Sequence, residues 1–331
     1  MCARGAVLPP CLWCANGWQV IIRRPSQCWI YPRKRRSHVT DHPISPELIE
    51  LLVDLSRRAG DAIMAIYNNK DSYDIEHKSD ESPLTAADLA AHRLISAELP
   101  GLLPLPIISE EGELPDFADR QLWDNYWLVD PLDGTKEFIA GNGQFTVNIA
   151  LVQCGRPLLG VVHVPTTDTT YLGVLDARDP GSLGAFKYVQ GGGGEPIRVR
   201  SLIERYQQSA PFTVLLSHRH NTQATLDLMD TIKRNWLGDI ETTNAGSSLK
   251  FCVIAEGLAD FYPRLAPTSE WDTAAAQAVL EAAGGQVVRA TPDLQSLAYN
   301  TSDDLLNPYF YALGDKNFSW KHLLFANELI M

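Results

Sequence analysis

The chain of 331 residues contains no uninterrupted run of about 18 uncharged apolar residues, which excludes a transmembrane helix from the expectation. Cysteine is scarce. Of six, Cys2, Cys11, Cys14 and Cys28 crowd into the N-terminal stretch. Only Cys154 and Cys252 remain for the body, each in apolar sequence, which argues against a disulfide framework and fits a reducing cytoplasm. The Cys11/Cys14 pair is a lone CxxC, whereas a zinc site needs about four ligands. A phosphate loop is missing too: the run Gly191 to Gly194 lacks the GxxxxGK[ST] pattern, and no helical pattern directly follows it. No internal repeat is present. Positive charge is also short, with 28 Lys and Arg against 40 Asp and Glu, a net of -12. Such a protein repels polynucleotide backbones, so a nucleic acid polymer is not an expected partner. A small anion is compatible if metal ions, Lys or Arg supply charge locally.

What charge there is lies unevenly. Met1 to His42 carries seven basic residues and one acid, Asp41, leaving 21 basic and 39 acidic residues for the body. Residues 1–43 therefore read as a basic, disordered extension outside the fold. Its run Arg33 to Arg36 offers an alternative to a purely cytoplasmic location, namely peripheral attachment on the cytoplasmic face of the inner membrane.

Ser45-Pro46 reads as a helix start, an N-cap with Pro at the first helical position. Leu48, Leu51, Leu52, Leu55, Ala59, Ala62, Ile63 and Ile66 then form one apolar face. Residues 70–82 read as a polar loop or hairpin. A second helix is expected from Thr85 to about Leu99, broken by Pro100, Gly101, Pro104 and Pro106. Strands are expected at Ile107-Ile108, Tyr126 to Val129, Phe145 to Val152, Leu158 to Val164, Phe212 to Leu216 and Ala259 to Arg264. Helices are expected over Thr222 to Trp236, Ser247 to Glu256 and Asp272 to Ala283. This irregular alternation predicts a layered α+β or α/β sandwich. The Gly run divides it into two packed subdomains, 44–190 and 191–331.

Four acidic features follow these elements. Ser109-Glu110-Glu111-Gly112 succeeds one short strand. Asp130-Pro131-Leu132-Asp133-Gly134-Thr135 succeeds another. Trp271-Asp272-Thr273 and Thr85-Ala86-Ala87-Asp88 head two helices. Mg²⁺ takes oxygen ligands in octahedral geometry. Pro131 and Gly134 imply a tight turn that lets Asp130 and Asp133 point the same way and exposes the Leu132 carbonyl. Massing Glu110, Asp130, Asp133 and Asp272 without cations means strong like-charge repulsion, which two or three divalent ions would remove. Each feature alone has a plainer reading: a surface turn, a solvated acidic loop, an N-cap at Asp272, a capping box at Thr85 and Asp88. Their conjunction favours the metal site.

Together these motifs resemble the Mg²⁺-dependent, lithium-sensitive inositol and sugar phosphatase superfamily. Flanking segments, including Ser82 to Asp88, Lys136-Glu137-Phe138 and Gly246 to Cys252, resemble its CysQ-type 3′(2′),5′-bisphosphate nucleotidase branch. The resemblance runs from about Ile44 to Asn307. It implies the αβαβα sugar phosphatase fold and two or three Mg²⁺ held by Glu110, Asp130, the Leu132 carbonyl, Asp133 and Asp272. It implies that Asp88 and Thr135 orient and deprotonate the attacking water, and that Leu132 to Thr135 line the phosphate. It further implies a small nucleotide substrate, adenosine 3′,5′-bisphosphate or its sulfated relative, hydrolysed in the service of sulfate assimilation. The first subdomain would carry the metal site and the second would complete the nucleotide pocket. His220, Ser247, Lys250 and Arg264 match positions that hold base and second phosphate, although Ser217-His218-Arg219-His220 departs from the expected Ser-Arg-Ser-His. An inositol or other sugar monophosphatase on the same fold, and an inactive nucleotide-binding sensor, stand as the alternatives.

Overall fold

Ser45 caps the first helix, α1 (Pro46–Tyr67), its hydroxyl accepting from the Leu48 N–H at 3.1 Å. The computed structural model describes residues 44–68, 75–77, 83–175, 184–216 and 222–325. The expectations for the basic extension, its CxxC pair and His220 lie outside these residues. Leu52, Leu55, Ala59 and Ile63 of α1 are fully buried. Each larger side chain among them contributes roughly 1.5–3 kcal/mol. Leu51, expected on the same face, is exposed. It sits about 100° round the helix from Leu52 and falls off the stripe. A two-stranded ladder, β1 (Ile75–His77) with β2 (Pro83–Thr85), leads into α2 (Ala86–Leu102). This helix runs through Pro100 rather than stopping before it. So close to the C-terminal end, the missing N–H forfeits a single helical bond.

The main sheet has seven strands in chain order: β3 (Ile107–Ser109), β4 (Asn125–Asp133), β5 (Thr146–Gln153), β6 (Arg156–Val164), β7 (Thr169–Val174), β8 (Gly184–Val189) and β9 (Glu195–Ile197). Only the β3–β4 pair is parallel. The Gly191 to Gly194 run is the turn between β8 and β9, so the sheet continues beyond it to Ile197. A second sheet has the order β11-β10-β12-β14-β13, from β10 (Phe212–Leu216), β11 (Ile240–Asn244), β12 (Phe261–Arg264), β13 (Gln286–Arg289) and β14 (Phe310–Leu313). The other helices are α3 (Phe117–Arg120), α4 (Thr135–Ala140), α5 (Leu202–Gln207), α6 (Gln223–Asn235), α7 (Leu249–Ala255), α8 (Ala274–Ala282) and α9 (Trp320–Phe325).

Alternation along the strands builds the layers. Trp127, Val129 and Ile149 point one way, onto α1 and α2. Leu128, Ala150 and Val162 point the other way, onto α7, α8 and the inner face of the second sheet, including Tyr262 and Phe310. The outer face of that sheet, with Phe212, Phe261 and Leu313, is covered by α6 and α9. The stacking is therefore αβαβα. The middle layer is thin because its residues are small. Ala274, Ala275, Ala276 and Ala278 are all buried, and they lie over Gly160 and Gly173, which face each other across β6 and β7. A Cβ on Gly160 would lie 2.1 Å from the Ala275 carbonyl oxygen. Among the described residues, no helix is long and apolar enough to cross a membrane.

Candidate active site

The acids converge through an irregularity in pairing. Asp130 lies across from Asn148 and Asp133 across from Thr146, so three steps on β4 match two on β5. Residues three apart in a regular strand face opposite ways; one extra residue, a β-bulge, restores the same face. The expectation that β4 stops at Val129 is thus corrected. The strand runs on to Asp133, and the bulge, not a turn, aligns the two aspartates. Asp130 Oδ1 accepts from the Leu132 N–H at 3.0 Å and secures the bulge locally. Gly134, at φ 96°, then swings the chain into α4, which begins at Thr135. Glu110 follows β3, and its N–H donates to the Val129 carbonyl at 3.2 Å, which draws it beside the end of β4.

Asp272 arrives from the third layer. Its Oδ2 accepts from the Ser269 N–H at 2.9 Å. It does not cap α8, whose N-cap is Thr273, so the plain capping reading of Asp272 is set aside. One oxygen each of Glu110, Asp130 and Asp272 lies within 4.8 Å of the others. Asp88 is buried in the first turn of α2, near enough that its charge presses on Asp130.

Electrostatics show what this cluster needs. Burial pushes the Asp130 carboxyl well above the usual range, and Glu110, Asp133, Asp272 and Asp88 push it further. Asp272 is raised likewise by burial, Asp133 and Glu110, against the Ser269 N–H and Arg264. Asp133 is pushed up to about 6 by burial, opposed by Lys250 and by the Ser248 N–H, which donates to its Oδ2 at 2.5 Å. Asp130 Oδ2 is buried without a donor among the described residues. An all-oxygen set of mutually repelling carboxylates with an open acceptor fits hard divalent cations.

One pocket borders both this cluster and the second sheet. Asp133 and Asp272 line it, as do Lys136, Ser247, Lys250 and Arg264. Lys250 is nearly buried; its Nζ donates to the Ser247 carbonyl at 2.9 Å and lies 5.2 Å from the Tyr262 ring centroid. Arg264 holds Thr268 Oγ1 at 2.5 Å and the Pro267 carbonyl at 2.8 Å. Ser247 has φ 44°, which turns the chain ahead of α7. Sequence reasoning missed Ser248, Thr146 and Asn148, the polar groups behind the aspartates. Their signal was available: Thr146 and Asn148 are polar residues at the buried start of a strand that is otherwise apolar up to its last residue, Gln153.

Residues 45–314 match the inositol monophosphatase family. The 3′(2′),5′-bisphosphate nucleotidase CysQ of Shigella flexneri is 44% identical over 266 residues, spanning 80% of this chain and 98% of the relative. That of Escherichia coli K12 is 42% identical over the same shares of the two chains. The crystal structure of CysQ from Bacteroides thetaiotaomicron is similar with TM-score 0.67 at 38% identity, over 81% of this chain and 98% of that one. An inositol monophosphatase of Thermotoga maritima shares the fold, with TM-score 0.59 at 22% identity over 81% of this chain and 92% of that one. With residues 45–314 matching the family and a relative 44% identical over 98% of its own length, the chain belongs to the inositol monophosphatase family and is a phosphatase.

Proposed function

We propose that this enzyme removes the 3′-phosphate of adenosine 3′,5′-bisphosphate, giving AMP and phosphate, that it also acts on the sulfated relative, and that it uses two or three Mg²⁺. The observation that carries this reading is the shared pocket. Its lining combines the carboxylates of Asp133 and Asp272 with the cations of Lys136, Lys250 and Arg264, which suits a substrate with two separate anionic groups. The similarity to bisphosphate nucleotidases at up to 44% identity supports the same reading.

Glu110, Asp130, Asp133, Asp272 and the Leu132 carbonyl would hold the cations. When bound, divalent cations neutralise the cluster, polarise the phosphoryl group and acidify water. The chain's own residues do the rest. Thr135, first in α4, accepts the proton of the attacking water at its hydroxyl and passes its own proton to the Asp88 carboxylate. Gly134 and Thr135 offer main-chain N–H groups to the phosphate oxygens. Ser247, Lys250 and Arg264 bind the remainder of the nucleotide, with the two cations on the 5′-phosphate. Each retains N–H groups beyond those it spends on neighbouring oxygens. On this reading 44–190 supplies the metal site and 191–331 completes the pocket.

Arg264→Gln tests the assignment. A charge-assisted hydrogen bond is worth about 1.5–3 kcal/mol, so KM for the bisphosphate should rise about tenfold or more. KM for adenosine 3′-monophosphate, which lacks the second phosphate, should move little. Equal effects on both substrates would refute the role.

A further inference from the structure

Thr146 and Asn148 stand two apart at the start of a strand whose next four residues are apolar, and both are buried. Hydroxyl and amide groups are costly there unless bonded. The bulge sets Thr146 across from Asp133 and Asn148 across from Asp130. Ser248, at the head of α7 in the next layer, reaches both. Its hydroxyl donates to Asn148 Oδ1 at 2.8 Å and lies 2.8 Å from Thr146 Oγ1. A hydroxyl has one proton. With the Ser248 proton on Asn148, the Thr146 hydroxyl is the donor on this side, to Ser248 Oγ and, at the longer distance of 3.3 Å, to Ser247 Oγ. The chain runs Thr146 to Ser248 to Asn148 and leaves the Asn148 amide nitrogen as its terminal donor. That Nδ2 is buried without an acceptor among the described residues, and Asp130 Oδ2, on the facing residue, is buried without a donor. The main-chain N–H of Ser248 meanwhile donates to Asp133 Oδ2 at 2.5 Å.

We propose that Ser248 and Asn148 are positioning residues for the divalent-cation cluster: the Ser248 main-chain N–H holds Asp133, and the Ser248 hydroxyl fixes the Asn148 amide across from Asp130. The proposal rests on the metal-binding reading given above. Partners one layer behind a ligand fix its orientation, and their loss weakens metal affinity by about 10–100-fold.

The test is a calorimetric Mg²⁺ titration of the full chain, paired with melting of the metal-free protein. Ser248→Ala and Asn148→Leu should each weaken Mg²⁺ binding about tenfold or more, while Ser248→Thr, which keeps the hydroxyl, should bind like wild type. Asn148→Ser serves in place of either variant that fails to fold, with the same expected loss. A merely structural role would lower the metal-free melting temperature and leave affinity in the folded protein within twofold of wild type, and that result overturns the proposal. A wild-type protein that takes up no Mg²⁺ overturns the metal reading and this proposal with it. A wild type that binds Mg²⁺ but leaves the bisphosphate intact sinks the substrate assignment alone.

Discussion

Replacing Gly160 by Ala probes how the main sheet sets the position of Asp272. The added Cβ would lie 2.1 Å from the Ala275 carbonyl oxygen and 2.8 Å from its Cα. Ordinary contact begins near about 3.5 Å, so strand and helix must part by roughly 1 Å. The obstacle is backbone, and it cannot swing aside like a side chain. Nor can α8 tilt freely, because Gly173 on the neighbouring strand meets the Val279 Cα just as closely. Overpacking of this kind costs about 1–3 kcal/mol, and a backbone clash belongs at the upper end. The lost flexibility of Gly offsets only about 0.5–1 kcal/mol. The melting temperature should fall by about 5 °C or more in a thermal melt without metal. Asp272 stands just ahead of α8, so Mg²⁺ affinity should fall as well. Gly101→Ala is the control: a Cβ there meets nothing within 4 Å, and the melt should be unchanged or slightly higher. A Gly160→Ala protein that melts like wild type and binds Mg²⁺ normally would refute the close-packing argument.

Asp133→Asn should lower turnover by orders of magnitude yet stabilise the metal-free protein at neutral pH. Its carboxyl is held at about 6 against an ordinary 3.8, so the folded chain retains the proton longer than the unfolded chain. Stability tied to this group is present at low pH and lost as pH rises from 3.8 through about 6, at a cost of about 3 kcal/mol once it is ionised. The gap between variant and wild-type melts should therefore widen from pH 4 to 7 without Mg²⁺ and close with it; parallel pH profiles would contradict this. Arg120→Ala should cost about 3 kcal/mol or more, because the buried guanidinium binds Asn300 Oδ1 and the carbonyls of Ser302 and Asp303. A denaturant midpoint close to wild type would show that these acceptors find other partners.

How much of this was legible in sequence depends on how local the cause is. The starts of α1 and α6 were readable because Ser45 and Thr222 act on their own next turn, each accepting an N–H three residues on. The six residues of β7 are all buried, so no alternation marks them, and most of β11 is exposed, so no apolar pattern does. β11 exists through parallel pairing with β10 on the far side of α6, and β7 through a hairpin with the largely buried β6. The acids themselves were recognisable as motifs. Their convergence was expected from the conjunction of motifs, but its cause was not legible, since it lies in the parallel β3–β4 pairing, the bulge opposite β5 and the close seat of α8 on two glycines. The plain capping reading of Asp272 failed for a similar reason: its carboxylate bonds backwards, to Ser269, in a loop whose path the sequence does not display.

The pocket brings the proposed metal-binding carboxylates together with Lys136, Lys250 and Arg264, and on the proposed reading these cations select a bisphosphate. Phosphate release measured with Mg²⁺ on adenosine 3′,5′-bisphosphate and on inositol 1-phosphate, side by side, tests it most directly. kcat/KM should strongly favour the bisphosphate, with AMP as the product. Equal rates, or a preference for the inositol ester, would contradict it.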